Sequence, residues 1–333
     1  MYKKLAEARA ALAELKGRLP VVPNPLMLIN TLVLQEARDS SEIENVVTTS
    51  DRLYRAFTSS RPNADPVTKE VLRYREALWD AFQHLQKTKK WKLDWIIHIF
   101  RTIMQKDETV RTGQVYIGSP YNVVYTPPEP GKILDEKLKN WLEYTLSENS
   151  IDPLIRMAIS HYQFEAIHPF SDGNGRTGRI LNVPYLTHHS LLDLPVLYIS
   201  KHILEFKNEY YRLFTEVTEK ENWESWMIFM LEAVHRTSQF TLGKVNAIYD
   251  LFNEVRREVR EKARDMYSRE LIEVLFSQPY CKIQVLVDQK IASRNTASKY
   301  LKKMVDMGIL QIEKEGKENL YLNKQLYEIL AQP

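Results

Sequence analysis

Residues 154–188 read LIRMAISHYQFEAIHPFSDGNGRTGRILNVPYLTH, and the changes of character along this stretch decide the fold. From Leu154 to Ile167 it is strongly apolar at helical spacing, and it stops at His168-Pro169 because proline cannot continue a helix. A glycine-containing loop follows, and a second apolar helix runs from Arg176 to about His188. The loop carries the chemistry. Gly173-Asn174-Gly175 ahead of a helix lets backbone N–H groups converge at the positive end of the helix dipole, which makes a cradle for phosphate. Arg176 and Arg179 lie three residues apart on the following helix, so their planar forks face the same side and suit a polyphosphate. Asp172 offers a hard oxygen of the kind Mg²⁺ takes when water and phosphate fill its other positions. His168 titrates near neutral pH and can accept a proton from an attacking hydroxyl. These parts describe phosphoryl-type transfer by positioning and charge neutralisation.

Working outward, most long segments repeat apolar residues every three or four positions, and there are only ten glycines. The expected fold class is therefore mainly α. Helices are predicted over residues 2–19, from Leu26 to about Asn45, from Ser50, over Val67 to Gln86 and over Leu93 to Gln105, with Pro20, Pro23 and Pro25 breaking the first from the second. Between Arg111 and Pro130 the pattern turns β-prone: residues 114–117 and 122–125 flank Gly118-Ser119-Pro120 and read as a hairpin. Helices resume near Leu134, and further ones are expected over Lys201 to Thr218, Trp223 to Thr237 and Val245 to Met266, the last as a charged linker. Of the 333 residues 44% are apolar and 27% charged, and no apolar run approaches a membrane span. Met1-Tyr2-Lys3-Lys4 leads into a charged, Ala-rich stretch and not into a signal peptide, so the expected location is the cytoplasm. A single cysteine, Cys281, excludes an internal disulfide and a cysteine-based metal cluster. The net charge of +3 is too small to imply nucleic-acid binding by bulk electrostatics.

The segment His168-Pro169-Phe170-Ser171-Asp172-Gly173-Asn174-Gly175-Arg176-Thr177-Gly178-Arg179 resembles the signature of the Fic family, H-x-F-x-[DE]-G-N-G-R-x-x-R. The likeness extends over roughly Leu26 to Val234. It implies a helical Fic core with a hairpin flap, and an enzyme that moves AMP from ATP onto a hydroxyl of a target protein. Under the resemblance His168 is the general base, Asp172 holds Mg²⁺, Gly173, Asn174 and Gly175 bind the α-phosphate, and Arg176 and Arg179 bind the β- and γ-phosphates. Phe170 is a buried anchor. Val115, Tyr116, Ile117 and Gly118 fall where the family has its flap, which pairs main chain to main chain with the target. Tyr210 and Tyr211 are similar to the tyrosines that line the adenine pocket. Ser40-Ser41-Glu42-Ile43-Glu44-Asn45 matches the inhibitory pattern [ST]-x-x-x-E-[GN], in which Glu44 pairs with Arg179 and keeps the γ-phosphate out. A capping box at Ser41 and Glu44 is the competing reading, but the preceding apolar pattern says a helix ends here, with Asn45 suited to its C-terminus.

From Ser268 the chain reads as a separate unit. A helix over Arg269 to Phe276, a short second element over Ile283 to Val287 and a third helix over Thr296 to Met307 precede two strands, Ile309 to Ile312 and Leu320 to Leu322, around residues 314–319, the plan of a winged helix-turn-helix. Arg294, Lys299, Lys302 and Lys303 can face DNA, but ten Lys/Arg against eight Asp/Glu from Ser268 onward favour protein docking or dimerisation. The expected organisation is 1–50 with the inhibitory segment, 51–240 as catalytic core, 241–267 as linker helix and 268–333 as winged helix. Three alternatives stay open: another donor on the same fold, AMP removal at the same site, and a regulator that binds DNA or protein through its C-terminal unit. The sequence leaves the target, the choice among Ser, Thr and Tyr, and a homodimer undecided.

Overall fold

A computed structural model describes the chain apart from residues 23, 59–63, 120–121, 149, 316–317 and 333. Pro23, Pro120, Gly316 and Lys317, assigned above to a helix break, a hairpin turn and the wing, lie outside the described residues. Helix α1 (Tyr2–Arg18) buries Ala8, Ala11, Leu12 and Leu15, and lies along α11 (Trp223–Lys262). A single 3₁₀ turn, Leu19–Val21, carries Pro20, and α2 (Pro25–Ile43) follows. Helix α3 (Ser50–Thr58) leads to α4 (Pro66–Thr88), whose N-cap Asp65 accepts from the Thr68 N–H, and then to α5 (Leu93–Met104). After the hairpin β1 (Ile117–Ser119) and β2 (Asn122–Tyr125) come α6 (Lys132–Leu146), α7 (Pro153–Ile167) and α8 (Asn174–His188).

Helix α8 is the axis of the molecule. It is buried on nearly every side from Arg176 to Thr187 and contacts α2, α4, α5 and α7. A helix covered all round needs no polar face, which is why its sequence runs apolar without a clear stripe. The mainly α fold class is thus observed, with a two-stranded hairpin and a three-stranded sheet in which Glu318–Leu322 lies between Tyr280–Cys281 and Gln311–Glu315.

Four expectations are corrected. The first hairpin strand lies at 117–119 and not 114–117, because residues 111–116 are pinned by side chains instead of a strand ladder. The Gln114 amide donates to Val115 O and Pro127 O, and Arg111 donates to Gly113 O and Pro128 O. The expected helix 201–218 is two, α9 (Ser200–Glu205) and α10 (Lys207–Lys220), broken at Phe206, whose ring turns in against His202. Residues 223–237 and 245–262 form one helix, the 40-residue α11. Thr237 and Thr241 sit buried at the expected gap by donating to carbonyls four residues back, so no break is needed. In the C-terminal unit, α12 (Arg269–Phe276), α13 (Ile283–Asp288) and α14 (Arg294–Asp306) come in the predicted order, but β4 (Gln311–Glu315) and β5 (Glu318–Leu322) replace the expected strands 309–312 and 320–322: the Ile309 and Leu310 N–H groups are spent on Met304 O, and the ladder runs on to Glu315 opposite Glu318. The two-residue strand β3 (Tyr280–Cys281) and the terminal α15 (Lys324–Ala331) were not foreseen.

Candidate functional site

His168 is the C-cap of α7. Its backbone adopts the left-handed region at φ 51° and its N–H donates to Phe164 O, so the chain turns sharply and the imidazole stands at the mouth of the loop. Burial lowers the pKa of that imidazole, against a hydrogen bond between Nδ1 and Glu165 O at 3.2 Å. The loop then closes on itself. Asn174 Oδ1 accepts from the Phe170 N–H at 2.8 Å while its Nδ2 donates to Phe170 O at 2.9 Å. Both ends of the Asn174 amide are therefore spent on shaping the loop. Phe170 is wholly buried and stacks on Phe100, ring centres 4.1 Å apart, the anchor expected of it.

The glycines are required by contact. Gly173 caps α8 at φ 71°, and a Cβ there would lie 2.7 Å from Met104 Sδ. A Cβ on Gly175 would lie 2.5 Å from Glu44 Oε1 and 2.9 Å from Arg179 Nη1. A carboxylate and a guanidinium thus lie directly over the first turn of α8.

Arg179 is the centre of that arrangement. It is buried, with Nε donating to Ser40 Oγ at 2.8 Å and Nη2 donating to Ser40 O at 3.0 Å and to Glu44 Oε1 at 2.7 Å. Helix α2 ends at Ile43 and Asn45 takes φ 62°, so Glu44 stands on the turn that leaves the helix. Burial pushes the Glu44 carboxyl up, but the Arg179 guanidinium prevails and holds it below the ordinary carboxylate value. Lys207 fixes the same turn by donating to Ile43 O at 2.6 Å.

A cavity of about 180 Å³ is lined by Glu44, His168, Gly175 and Arg179 on one side and by Ile117, Glu165, Tyr210, Tyr211 and Phe214 on the other. Pockets that take up drug-sized ligands run to roughly 300–1,000 Å³, so with Glu44 in place the space is small. Tyr210 is buried and its hydroxyl lies 3.0 Å from His161 Nε2, while Tyr211 is about half exposed and meets it edge to face. Burial drives the His161 pKa down to about 3, so that ring is a neutral partner for Tyr210.

Other expected residues stand apart from the cavity. Arg176 turns toward α4 and α5, where it pairs with Glu70 and meets Met104 Sδ at 3.2 Å. Asp172 is exposed; one oxygen accepts from the Gly173 N–H at 2.7 Å and the other lies 3.9 Å from Lys106. In the flap, Ile117 faces the cavity and Tyr116 faces solvent, and Val115 and Gly118 flank them.

Three residues went unnoticed in the sequence. Arg111 Nε donates to His168 O at 2.8 Å while its other amines hold the base of the flap, so one side chain ties hairpin to loop. Glu165 is a buried carboxyl on the cavity wall, pushed up to about 7 by burial against the pull of Arg179; its only signal was a lone acid in an apolar run. Glu70 carried no signal at all.

Among known proteins, the family model described as "Fic/DOC family" matches residues 90–186, that of "Fic/DOC family N-terminal" residues 2–83, and that of "Protein adenylyltransferase SoFic-like, C-terminal domain" residues 251–326. "Protein adenylyltransferase fic-1" of Caenorhabditis elegans is 35% identical over 91 residues, 27% of this chain and 18% of that protein. "Protein adenylyltransferase Fic" of Nematostella vectensis is 25% identical over 202 residues, 58% of this chain and 45% of that protein. The matched stretch thus spans less than half the length of either relative. The crystal structure of a Fic family protein from Desulfovibrio desulfuricans G20 shares the fold, with a TM-score of 0.58 at 20% identity over 96% of this chain and 95% of that one. Among the described residues no helix is long and apolar enough to cross a membrane.

Proposed function

Because the chain belongs to the Fic/DOC family, we propose that it transfers AMP from ATP to a hydroxyl side chain of a protein, itself included, and that Glu44 restrains the transfer. The observation that carries this reading is the meeting of His168, the glycine turn and an Arg179 already occupied by Glu44 around one cavity. In the reaction the acceptor oxygen attacks the α-phosphorus in line, its proton passes to His168, the bond from that phosphorus to the bridging oxygen breaks, and pyrophosphate leaves. Backbone amides at the start of α8 receive the α-phosphate, with Asn174 keeping the loop in shape. Arg179 takes the γ-phosphate once Glu44 has left, and Arg176 serves the β- and γ-phosphates. Adenine lies between Tyr210 and Tyr211.

Asp172 fits Mg²⁺: its carboxylate is exposed beside the loop, with one oxygen near no donor closer than Lys106. Bound there, the ion would neutralise charge on the phosphates. The flap, Val115 to Gly118, offers its edge to an extended segment of the target. In this division residues 1–50 hold the inhibitory segment, 51–240 the catalytic core, 241–267 a connection made largely of the end of α11, and 268–333 the winged helix. Cys281 is buried and its thiol is pushed up to about 12, which suits an unreactive structural thiol and a cytoplasmic protein.

The restraint follows from competition. A carboxylate paired with a buried guanidinium has to be displaced before a phosphate can take its place, and breaking such a pair by removing one partner typically costs about 3–5 kcal/mol. Incubating the wild type, Glu44→Gly and His168→Ala with labelled ATP and Mg²⁺ tests the whole reading. Label should enter the Glu44→Gly protein about tenfold or more faster than the wild type and should not enter the His168→Ala protein. Equal rates for wild type and Glu44→Gly would refute the restraint, and no label in Glu44→Gly or in any protein of a cell lysate added to it would refute AMP transfer.

A further inference from the structure

Arg176 and Arg179 are one turn apart on α8, yet only Arg179 opens onto the cavity with His168. The Arg176 guanidinium is held by its two outer amines. Nη1 donates to the Glu70 carboxylate on α4, and Nη2 meets Met104 Sδ on α5 at 3.2 Å. Its Nε is buried and meets no acceptor among the described residues, and the whole side chain is 5% exposed. Met104 also supports the glycine turn, since a Cβ on Gly173 would lie 2.7 Å from its sulfur. One small seat, Glu70 with Met104, therefore fixes the direction of a guanidinium and the floor of the phosphate cradle together.

A buried donor without a partner is costly in a protein unless a ligand satisfies it. A guanidinium also carries large rotamer entropy, and a cation buried without a counter-charge is unfavourable. Glu70 answers both problems while leaving Nε free. We propose that Glu70 is a positioning residue for the nucleotide: it keeps Arg176 clamped by its outer amines so that Nε is a preset donor to a phosphate oxygen beyond the α-phosphate. The inference rests on the AMP-transfer reading and deepens it.

The structure also separates this role from a second restraint like that of Glu44. Glu44 stands on the turn after the end of α2, where a few backbone rotations can carry it away. Glu70 stands inside the 23-residue α4, which is packed on α2, α5 and α8. Its backbone is fixed by that packing, so it serves as a fixture where Glu44 stands on a turn. The consequence is selective: loss of Glu70 should be felt by ATP, which has β- and γ-phosphates, and hardly by AMP, which has neither.

The test uses the full chain with Glu44→Gly and His168→Ala together, which frees Arg179 and prevents turnover, and measures ATP and AMP binding by calorimetry in the presence of Mg²⁺. Adding Glu70→Ala should weaken ATP about tenfold while AMP stays within about twofold. Adding Glu70→Gln should recover most of the loss, because its carbonyl still accepts from Nη1. In the Glu44→Gly protein with His168 intact, Glu70→Ala should raise KM for ATP more than it lowers kcat. ATP binding that is unchanged or tightened by both substitutions overturns the inference, as does an equal loss for ATP and AMP in the well-folded Gln variant. A parent protein that binds neither nucleotide overturns the transfer reading, and this inference with it.

Discussion

Burial is the largest influence on the His168 imidazole, and it moves the pKa below the ordinary 6.5. The nearby Arg111 charge acts in the same direction, while the Glu165 carbonyl and the Glu44 and Asp172 carboxylates oppose it. A lowered pKa means that more than half of the imidazole is still neutral, and so able to accept a proton, at pH 6.5. In the Glu44→Gly protein one opposing carboxylate is gone and the pKa should drop further. The kcat/KM for ATP of that variant should therefore keep more than half of its pH 8 value at pH 6.5 and reach its half-point only below that, a profile that kinetics at limiting ATP, which report on the free enzyme, would record. An acid limb centred above pH 6.5 would contradict the role given to His168. At this scale the sequence was legible where functional residues are contiguous. His168 to Arg179 lie in one loop and one helix turn, so spacing conveys their closeness, but not their directions: the two arginines expected to face the same side diverge, Arg176 toward Glu70 and Met104 and Arg179 toward the cavity. Arg111 and Glu70 act on residues 57 and 106 positions away, and their meaning exists only after folding brings those positions together.

Among the elements, the hairpin is where local pattern and tertiary contact disagreed. Residues 114–117 have β-prone side chains, yet strand β1 begins only at Ile117, because Arg111 and Gln114 claim carbonyls on the stalk that a ladder would otherwise use. Arg111 thereby sets the height and angle of the flap over His168, with its backbone N–H adding a bond to Pro169 O at 2.9 Å. Replacing Arg111 with Ala leaves three carbonyls without their donor and should loosen the hairpin relative to the loop. The expected outcome, in the Glu44→Gly background, is a fall of about tenfold or more in kcat/KM for the protein acceptor, since misplacement of a reacting group by about 1 Å can cost a hundredfold. ATP affinity should change little, because Arg111 does not line the nucleotide cavity. Equal losses in acceptor use and ATP binding would show that Arg111 supports the whole site and not the flap. The break at Phe206 and the continuity of α11 were illegible for a related reason: helical periodicity marks which residues face inward, but a ring docking sideways or a threonine bonding back to its own helix leaves that periodicity intact.

At the scale of the molecule, composition marks Ser268 as the start of a new unit, while contacts tie that unit firmly to the first helices. Tyr280 donates to Asp51 at 2.5 Å, Arg55 pairs with Glu313, and the Tyr54 and Tyr327 rings meet edge to face at 6.2 Å. Beneath them, Lys244 of α11 is buried and donates to Gln35 Oε1 at 3.1 Å, to Leu330 O at 3.0 Å and to Gln332 O at 2.9 Å, while the Gln35 amide donates to Leu330 O. The C-terminus of α15 is thus capped by side chains from α2 and α11, satisfying carbonyls that a helix end leaves open. None of these contacts follows from a pattern within residues 268–333, since each depends on a partner more than eighty positions earlier. Lys244→Met fills similar volume but removes the donor, and an unsatisfied buried carbonyl costs about 1–3 kcal/mol. Urea denaturation of that variant should show a loss in this range. Because the clasp joins the C-terminal unit to α2 and α11, tryptophan fluorescence, which reports on residues 79–226, and far-UV circular dichroism, which reports on all helices, should shift together to the same lower midpoint. Two separated transitions, with the fluorescence midpoint unmoved, would mean that the C-terminal unit rests on the body without stabilising it.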